Sequence, residues 1–155
     1  MRNPFLLRAI ELAVQNVEER RGGPFGALIV RDGTIIAEGT NLVTASLDPT
    51  AHAEVVAIRK ACAALQTFEL TGCVVYTSCE PCPMCLAAIY WARAEKVYFA
   101  AGREDAAAAG FDDEFLYREL SLPVGQRSLP MEQELLEEAI AALDAWRNDN
   151  GKIRY

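Results

Sequence analysis

The chain has 155 residues, of which 52% are hydrophobic, so it can fold as one domain around a single core. Its formal net charge of −7 disfavours a nucleic-acid polymer as partner, because binding a phosphate backbone usually requires a basic surface. No apolar run reaches the length of a membrane span and charged residues interrupt positions 1–21, so we expect a cytoplasmic protein without membrane segment or signal peptide.

Hydrophobic periodicity and turn residues predict a regular succession of helices and strands. Asp32-Gly33 lies between two apolar runs and predicts a tight hairpin, whereas Gly22-Gly23 predicts the end of the first helix. The predicted elements, in chain order, are helix 5–20, strands 25–31 and 34–39, a polar loop 41–50, helix 51–65, strand 73–78, helix 83–93, strand 96–101, short helices within 106–120, a strand around 127–132, helix 134–147 and a tail.

The order of these elements predicts an α/β fold. After the hairpin, strands and helices alternate, which favours parallel pairing of the later strands and helices on both faces of the sheet. We therefore expect a three-layer α/β/α sandwich with a five-stranded mixed sheet, formed by residues 1–155 as a single domain. In such sheets ligands bind beyond the carboxyl ends of strands, where helices begin.

A cysteine cluster is the first chemical feature of the sequence. Cys79, Cys82 and Cys85 fall within seven residues, a clustering that favours metal binding over disulfides in a chain without an export signal. Cys82 and Cys85 open a predicted helix, so both thiolates share one face near the positive end of its dipole. Together with His52, the only histidine, they form a donor set that selects zinc.

Glu54 accompanies His52 at the start of the preceding helix, where side chains lean toward the N-terminus, so both can reach one point. Three protein ligands leave one tetrahedral position open, which is typical of a catalytic zinc. Zinc with two thiolates and a neutral imidazole is formally uncharged, so it acidifies water weakly and a neighbouring base is needed. We expect Glu54 to be that base and to move protons during attack on an amino-bearing ring carbon.

A closed structural zinc site is the alternative interpretation. Four residues are spaced to supply its ligands: His52, Cys79, Cys82 and Cys85. This interpretation predicts a non-catalytic, zinc-stabilised interaction domain and leaves Glu54 beside the ligands without a role. Cys62 and Cys73 are expected to be plain core cysteines under either interpretation.

In its motifs the chain resembles the bacterial guanine deaminases of the cytidine-deaminase-like superfamily. The resemblance covers nearly the whole chain and is carried by GGPFGA at 22–27, Asn41, DPTAHAE at 48–54, YTSCEPCPMC at 76–85, AIYWAR at 88–93, GFDD at 110–113 and Tyr155. The zinc segments alone mark only the superfamily. The segment 110–113 and the terminal Tyr155 are the features that resemble the guanine branch.

The resemblance implies hydrolysis of guanine to xanthine and ammonia with one Zn²⁺ per subunit. The implied roles are zinc ligation by His52, Cys82 and Cys85, proton transfer by Glu54, a catalytic or binding role for Asp113, and substrate contacts from Phe25, Asn41, Ala53, Trp91 and Tyr155. It also implies a homodimer in which a C-terminal tail, residues 148–155, can swap between subunits and close the partner's site.

The chemistry of guanine independently favours an acidic contact. Guanine carries two adjacent donors, its ring N–H and its amino group, and one carboxylate can accept both. Asp112 and Asp113 are the two candidates, and Asp112 is expected to cap the helix that follows. Asn41 can donate to a purine acceptor, although an Asn after a strand is often only a turn former.

Aromatic residues are the candidates for stacking on a purine: Phe25, Trp91, Phe111 and Tyr155. Phe25 and Trp91 are equally compatible with a core position. Guanosine, cytosine or a related triazine stay open as alternative substrates. A tRNA adenosine deaminase would share the zinc pattern, but the acidic charge balance counts against it.

Overall fold

The computed structural model describes residues 2–134 and 137–155. The chain divides into two compact units, a first that ends at Leu116 and a second that covers Tyr117–Tyr155. In the first unit the elements are α1 Pro4–Glu18, β1 Gly26–Arg31, β2 Thr34–Thr40, α2 Val43–Ser46, α3 Ala53–Leu65, β3 Cys73–Cys79, α4 Pro83–Trp91, β4 Lys96–Ala101 and α5 Arg103–Ala108. Helix α6, Asp113–Ser121, crosses into the second unit, which also contains a 3-10 helix, Val124–Gln126, and α7, Glu137–Asn148.

The four described strands form one mixed sheet in the order β2-β1-β3-β4. Strand β1 pairs antiparallel with both β2 and β3, and β3 pairs parallel with β4. The hairpin turn is the predicted Asp32-Gly33, whose φ angles of 49° and 74° suit the right-handed twist of the two strands. The mixed sheet and the parallel pairing of the later strands are confirmed.

The predicted fifth strand, around 127–132, is wrong. This segment follows the 3-10 helix as an irregular loop, and Pro130 has no N–H to contribute to a strand ladder. The N–H and hydroxyl of Ser128 both donate to the Glu119 carboxylate, at 2.7 and 2.8 Å. The Arg127 guanidinium donates to the Leu122 carbonyl at 3.1 Å. Arg127 and Ser128 therefore form hydrogen bonds within their own part of the chain instead of pairing with a neighbouring strand.

Helices cover both faces of the sheet, as predicted. On one face α1 packs through a cluster made of Ala9, Leu12, Leu28, Val30 and Tyr76. On the other face α3 and α4 pack through a cluster that includes Ala27, Ile29, Ala53, Ala57, Val75 and Ile89. Within the described part of the chain, no helix is long and apolar enough to span a membrane.

The small residues of α3 bring its first turn directly onto β2. A Cβ atom at Gly39 of β2 would overlap the Ala53 carbonyl oxygen and would also press on Ala57. This close approach fixes where α3 begins, and the N-terminus of α3 carries His52 and Glu54. The packing of β2 on α3 therefore positions the residues described next.

Candidate active site

His52, Cys82 and Cys85 form one cluster, whose ligating atoms all lie within 4.8 Å of one another. The imidazole Nδ1 lies 3.5 Å from each of the two sulfur atoms. In a tetrahedral zinc site, ordinary Zn–N and Zn–S lengths place nitrogen and sulfur about 3.6 Å apart. The donor types and their spacing therefore fit Zn²⁺.

Two helix N-termini carry these ligands. His52 is the N-cap residue of α3 and Cys82 that of α4, and both have extended backbone angles. Pro83 occupies the first turn of α4, where its missing N–H costs nothing and its fixed φ suits a helix start. Cys85 follows within the same turn, so both sulfur atoms lie at the positive end of the α4 dipole.

A hydrogen bond couples the thiols of Cys82 and Cys85. A hydrogen bond from Cys85 lowers the pKa of Cys82 far below the usual thiol range, and the hydrogen bond with His52 acts in the same direction. The same hydrogen bond raises the pKa of Cys85, which favours its protonated form. A cation bound between the sulfur atoms would displace this proton, because thiolates are the ligating form.

Glu54 lies beside the cluster in the first turn of α3 and is only 6% exposed. Its burial raises the pKa of its carboxyl group, because the charged form loses its hydration. The Thr77 hydroxyl on β3 lies 3.2 Å from Glu54 Oε1 and donates a hydrogen bond to it. The carboxyl is thus held in place and is easier to protonate than an exposed glutamate, which suits a proton shuttle.

A cavity of about 340 Å³ opens beside this cluster. Its wall contains six residues predicted from the sequence, Phe25, Asn41, His52, Glu54, Cys82 and Asp113, and also Phe111, the stacking candidate. Five further residues of the wall were not predicted as site residues: Gly23, Val43, Thr44, Pro49 and Glu80. Val43, Thr44 and Pro49 lie between β2 and α3, where the segment 41–50 was predicted as a polar loop and the structure has the short helix α2. The position of this segment between Asn41 and His52 was the available signal.

Asn41 follows β2 and is 6% exposed. Its side-chain Oδ1 accepts the backbone N–H groups of Gly23 and Val43, each at 3.3 Å. Because Oδ1 is engaged by donors, the amide nitrogen is the atom that can donate to a ligand. Phe25 packs edge-on against Phe111, with ring centroids 4.8 Å apart, so two aromatic rings form one side of the cavity.

The two adjacent aspartates differ in position. Asp112 accepts the backbone N–H of Phe115 at 3.0 Å, so the predicted helix-capping role is confirmed. Asp113 begins α6 and lines the cavity. Burial raises the pKa of the Asp113 carboxyl group, and the nearby Cys82 charge adds to this effect.

Cys79 lies apart from the metal cluster. Its sulfur contacts the Gly102 carbonyl oxygen at 3.7 Å, and burial raises its pKa to about 11, so it is a neutral thiol. Among the described residues the cluster contains three ligands, which leaves the four-ligand alternative without support. Cys73 is fully buried in the core and Cys62 packs against it, as predicted.

Three predicted substrate contacts lie outside the cavity wall of the first unit. Ala53 is the first residue of α3 and is fully buried in the core. Trp91 is the last residue of α4 and is 69% exposed. Tyr155 belongs to the second unit, where its ring meets Trp146 edge-on at a centroid distance of 6.3 Å.

Comparison with known proteins agrees with this geometry. Residues 2–101 match the family described as the cytidine and deoxycytidylate deaminase zinc-binding region. A guanine deaminase from Bacillus subtilis is 57% identical over 97% of both chains. The X-ray structure of guanine deaminase from B. subtilis superposes with a TM-score of 0.96, at 56% identity, covering 100% of this chain and 99% of that one.

A tRNA-specific adenosine deaminase from Aquifex aeolicus is more distant, at 42% identity over 65% of this chain and 67% of that protein. The matched zinc-binding region and the cluster of one imidazole and two thiols together establish a site for one Zn²⁺. This chain therefore belongs to the family of zinc-binding cytidine and deoxycytidylate deaminases, within the branch that contains the guanine deaminase of B. subtilis.

Proposed function

We propose that this chain is a zinc-dependent hydrolase that converts guanine and water to xanthine and ammonia. The observation that carries the proposal is the cavity itself, in which the buried Glu54 and the acidic Asp113 both lie beside the zinc cluster. Identity of 57% to a guanine deaminase, extending over 97% of the chain, supports guanine over other rings.

In this proposal His52, Cys82 and Cys85 hold the metal. When bound, zinc supplies Lewis acidity that makes a water molecule nucleophilic near neutral pH. Glu54 accepts a proton from the attacking water and delivers it to the ring nitrogen. It then accepts the proton of the hydroxyl group that has been added to the ring carbon and delivers it to the amino group, which departs as ammonia while the carbonyl forms. Its raised pKa allows it to hold a proton between these steps, and general acid–base help of this kind contributes about 10²–10⁴-fold to rate.

The substrate contacts follow from the cavity wall. Asp113 accepts the adjacent ring N–H and amino group of guanine, a pair of donors that adenine and cytosine lack. Asn41 donates through its amide nitrogen to a purine acceptor, and Phe25 packs on the ring. The resemblance supports three further contacts that the cavity wall does not include: Ala53, Trp91 and Tyr155.

We further propose that the enzyme is a cytoplasmic homodimer whose C-terminal tails, residues 148–155, swap and close the partner's site. Helix α7 supports an additional interface, because Ile140, Leu143 and Trp146 expose 48, 61 and 46% of their surface. The five free cysteines suit a reducing compartment. Light scattering of the purified protein tests the dimer directly, and a monomer that deaminates guanine at full rate would refute it.

Ammonia release from the zinc-loaded protein is the experiment that tests the activity. Guanine, guanosine, cytosine, adenine and ammeline are compared side by side at equal concentration. We expect guanine to have the highest kcat/KM. A preference for guanosine or for the triazine ammeline would require different substrate contacts. The absence of ammonia release from every ring would refute the proposed enzymatic activity.

A further inference from the structure

Asn16 is a polar residue in the interior of the first unit, 2% exposed and carried by α1. Its amide nitrogen Nδ2 donates two hydrogen bonds to backbone carbonyl oxygens, Gly23 at 2.9 Å and Asn41 at 2.8 Å. Its Oδ1 is buried without a hydrogen-bond partner among the described residues. Burying an amide costs free energy unless its hydrogen bonds are made. The contribution of Asn16 to the structure is therefore the two hydrogen bonds that it donates.

The two carbonyl groups belong to segments that meet at the cavity. Gly23 and Asn41 both line it, although they are 18 residues apart in the chain. The Gly23 N–H donates to Asn41 Oδ1, and the Asn41 N–H donates to the Phe25 carbonyl at 3.1 Å. Asn16 therefore completes a hydrogen-bonded network that includes two residues of the cavity wall, Phe25 and Asn41.

The glycine pair makes this network compact. A Cβ atom at Gly22 would overlap the Asn41 carbonyl oxygen, and one at Gly23 would press on the Phe25 ring at 3.3 Å. The loop thus lies directly against Asn41, and small displacements of either carbonyl group would be transmitted to the Asn41 side chain. Asn16 limits such displacements through its hydrogen bonds to both carbonyl groups.

We propose that Asn16 is a positioning residue for substrate binding, which holds the Asn41 amide and the loop bearing Phe25 in the geometry that receives the purine. The inference rests on the proposed function, because Asn41 and Phe25 are substrate contacts there. Asn16 itself takes no part in proton transfer. Its effect is on the binding of the purine ring, and it acts mainly through Asn41, whose carbonyl oxygen it bonds directly.

Steady-state kinetics of Asn16→Leu, which replaces the amide by an apolar side chain of similar size, tests this inference. We expect KM for guanine to rise about tenfold, as for the loss of one well-placed hydrogen bond, while kcat changes less than about twofold. Asn16→Ser is the second variant, since its hydroxyl can restore one donor, and its KM is expected to be intermediate. The Ser variant also decides the question if the Leu variant does not fold.

Leu12→Ala is the matched control, because Leu12 is a buried core residue of the same helix and takes no part in the network. It should lower Tm and leave KM unchanged, as a purely structural role for Asn16 would also do. A double-mutant cycle with Asn41→Ala tests whether Asn16 acts through Asn41. If it does, the effect of Asn16→Leu on KM should largely disappear in the Asn41→Ala background.

Three outcomes are distinguishable. Wild-type protein that releases no ammonia from guanine refutes the proposed function. Guanine turnover with an unchanged KM in both Asn16 variants overturns the positioning role and leaves the function intact. Fully additive effects in the cycle likewise overturn it, since Asn16 would then act by a route that does not include Asn41.

Discussion

Glu54 lies in an environment unlike that of an ordinary surface glutamate. It is buried beside three metal ligands, accepts a hydrogen bond from Thr77 and has a raised pKa. Glu54→Gln keeps the size and hydrogen-bonding capacity of the side chain but cannot exchange a proton. We expect kcat to fall by about 10²–10⁴-fold with guanine, measured by ammonia release.

Zinc content is the control for this variant. Because Glu54 is outside the cluster of His52, Cys82 and Cys85, Glu54→Gln should retain one zinc per chain, measured by atomic absorption. Full activity with normal zinc would exclude the shuttle role. Loss of zinc together with activity would show that Glu54 acts on the metal site instead.

The neighbouring aspartates provide a matched pair of substitutions. Asp113 lines the cavity, whereas Asp112 caps a backbone N–H of α6. Asp113→Asn should lower kcat/KM for guanine about 100-fold or more, because one amide oxygen replaces a carboxylate that accepts two donors. Asp112→Asn should change kcat/KM less than about threefold, since Asn is also a good capping residue. Equal effects of both substitutions would contradict the assignment of Asp113.

At the scale of elements, the contact between β2 and α3 positions His52, one of the three metal ligands. Gly39 touches the backbone of the first turn of α3, the turn that follows His52. Gly39→Ala should therefore force the two elements apart and destabilise the fold by about 1–3 kcal/mol, the usual cost of overpacking. The loss is measured by urea unfolding of the zinc-loaded protein, and zinc affinity should fall with it, because His52 moves relative to the two thiolates.

Gly125→Ala is the control for this change. A Cβ atom at Gly125 meets no atom within 4 Å, so the substitution adds a methyl group without a clash. Its urea midpoint and zinc affinity should match those of the wild type. Destabilisation by Gly125→Ala equal to that by Gly39→Ala would contradict a specific role for the contact between β2 and α3.

Elements whose signals are local were predictable from the sequence. The hairpin at Asp32-Gly33 and strand 96–101 have strong turn and pattern signals, and both lie where they were predicted. The strand predicted around 127–132 is wrong, because a local sequence pattern cannot show that the side chain of Arg127 and the N–H of Ser128 bond Leu122 and Glu119 nearby in the chain. The predicted start of helix 134–147 falls partly outside the described residues, and α7 is described from Glu137.

At the scale of the whole molecule, the metal cluster was predictable because its ligands lie in two short motifs, each opening a helix. The hydrogen-bonding role of Asn16 could not be predicted in this way. Nothing in the sequence of α1 indicates that Asn16 faces the interior. Its partners are the carbonyl groups of residues 7 and 25 positions further along the chain. Long-range hydrogen bonds depend on how α1 packs on the sheet, which no local pattern encodes.

The C-terminal tail supplies a prediction about the assembled enzyme. Tyr155 belongs to the segment 148–155 and is 69% exposed within the described structure. In the proposed dimer this ring closes the partner's cavity and excludes water during turnover. Deleting residues 151–155 should then lower kcat/KM for guanine about tenfold or more, while zinc content and Tm stay close to those of the full chain.

Two point variants separate the ring from the rest of the tail. Tyr155→Ala should reproduce most of the loss caused by the deletion, whereas Ile153→Ala, an equally exposed apolar residue of the same tail, should be close to wild type. Mixing the truncated protein with Glu54→Gln subunits should restore part of the activity, because each heterodimer pairs an intact shuttle with an intact tail from its partner. Unchanged kinetics after truncation would show that the tail takes no part in turnover and that the residues of the first unit are sufficient.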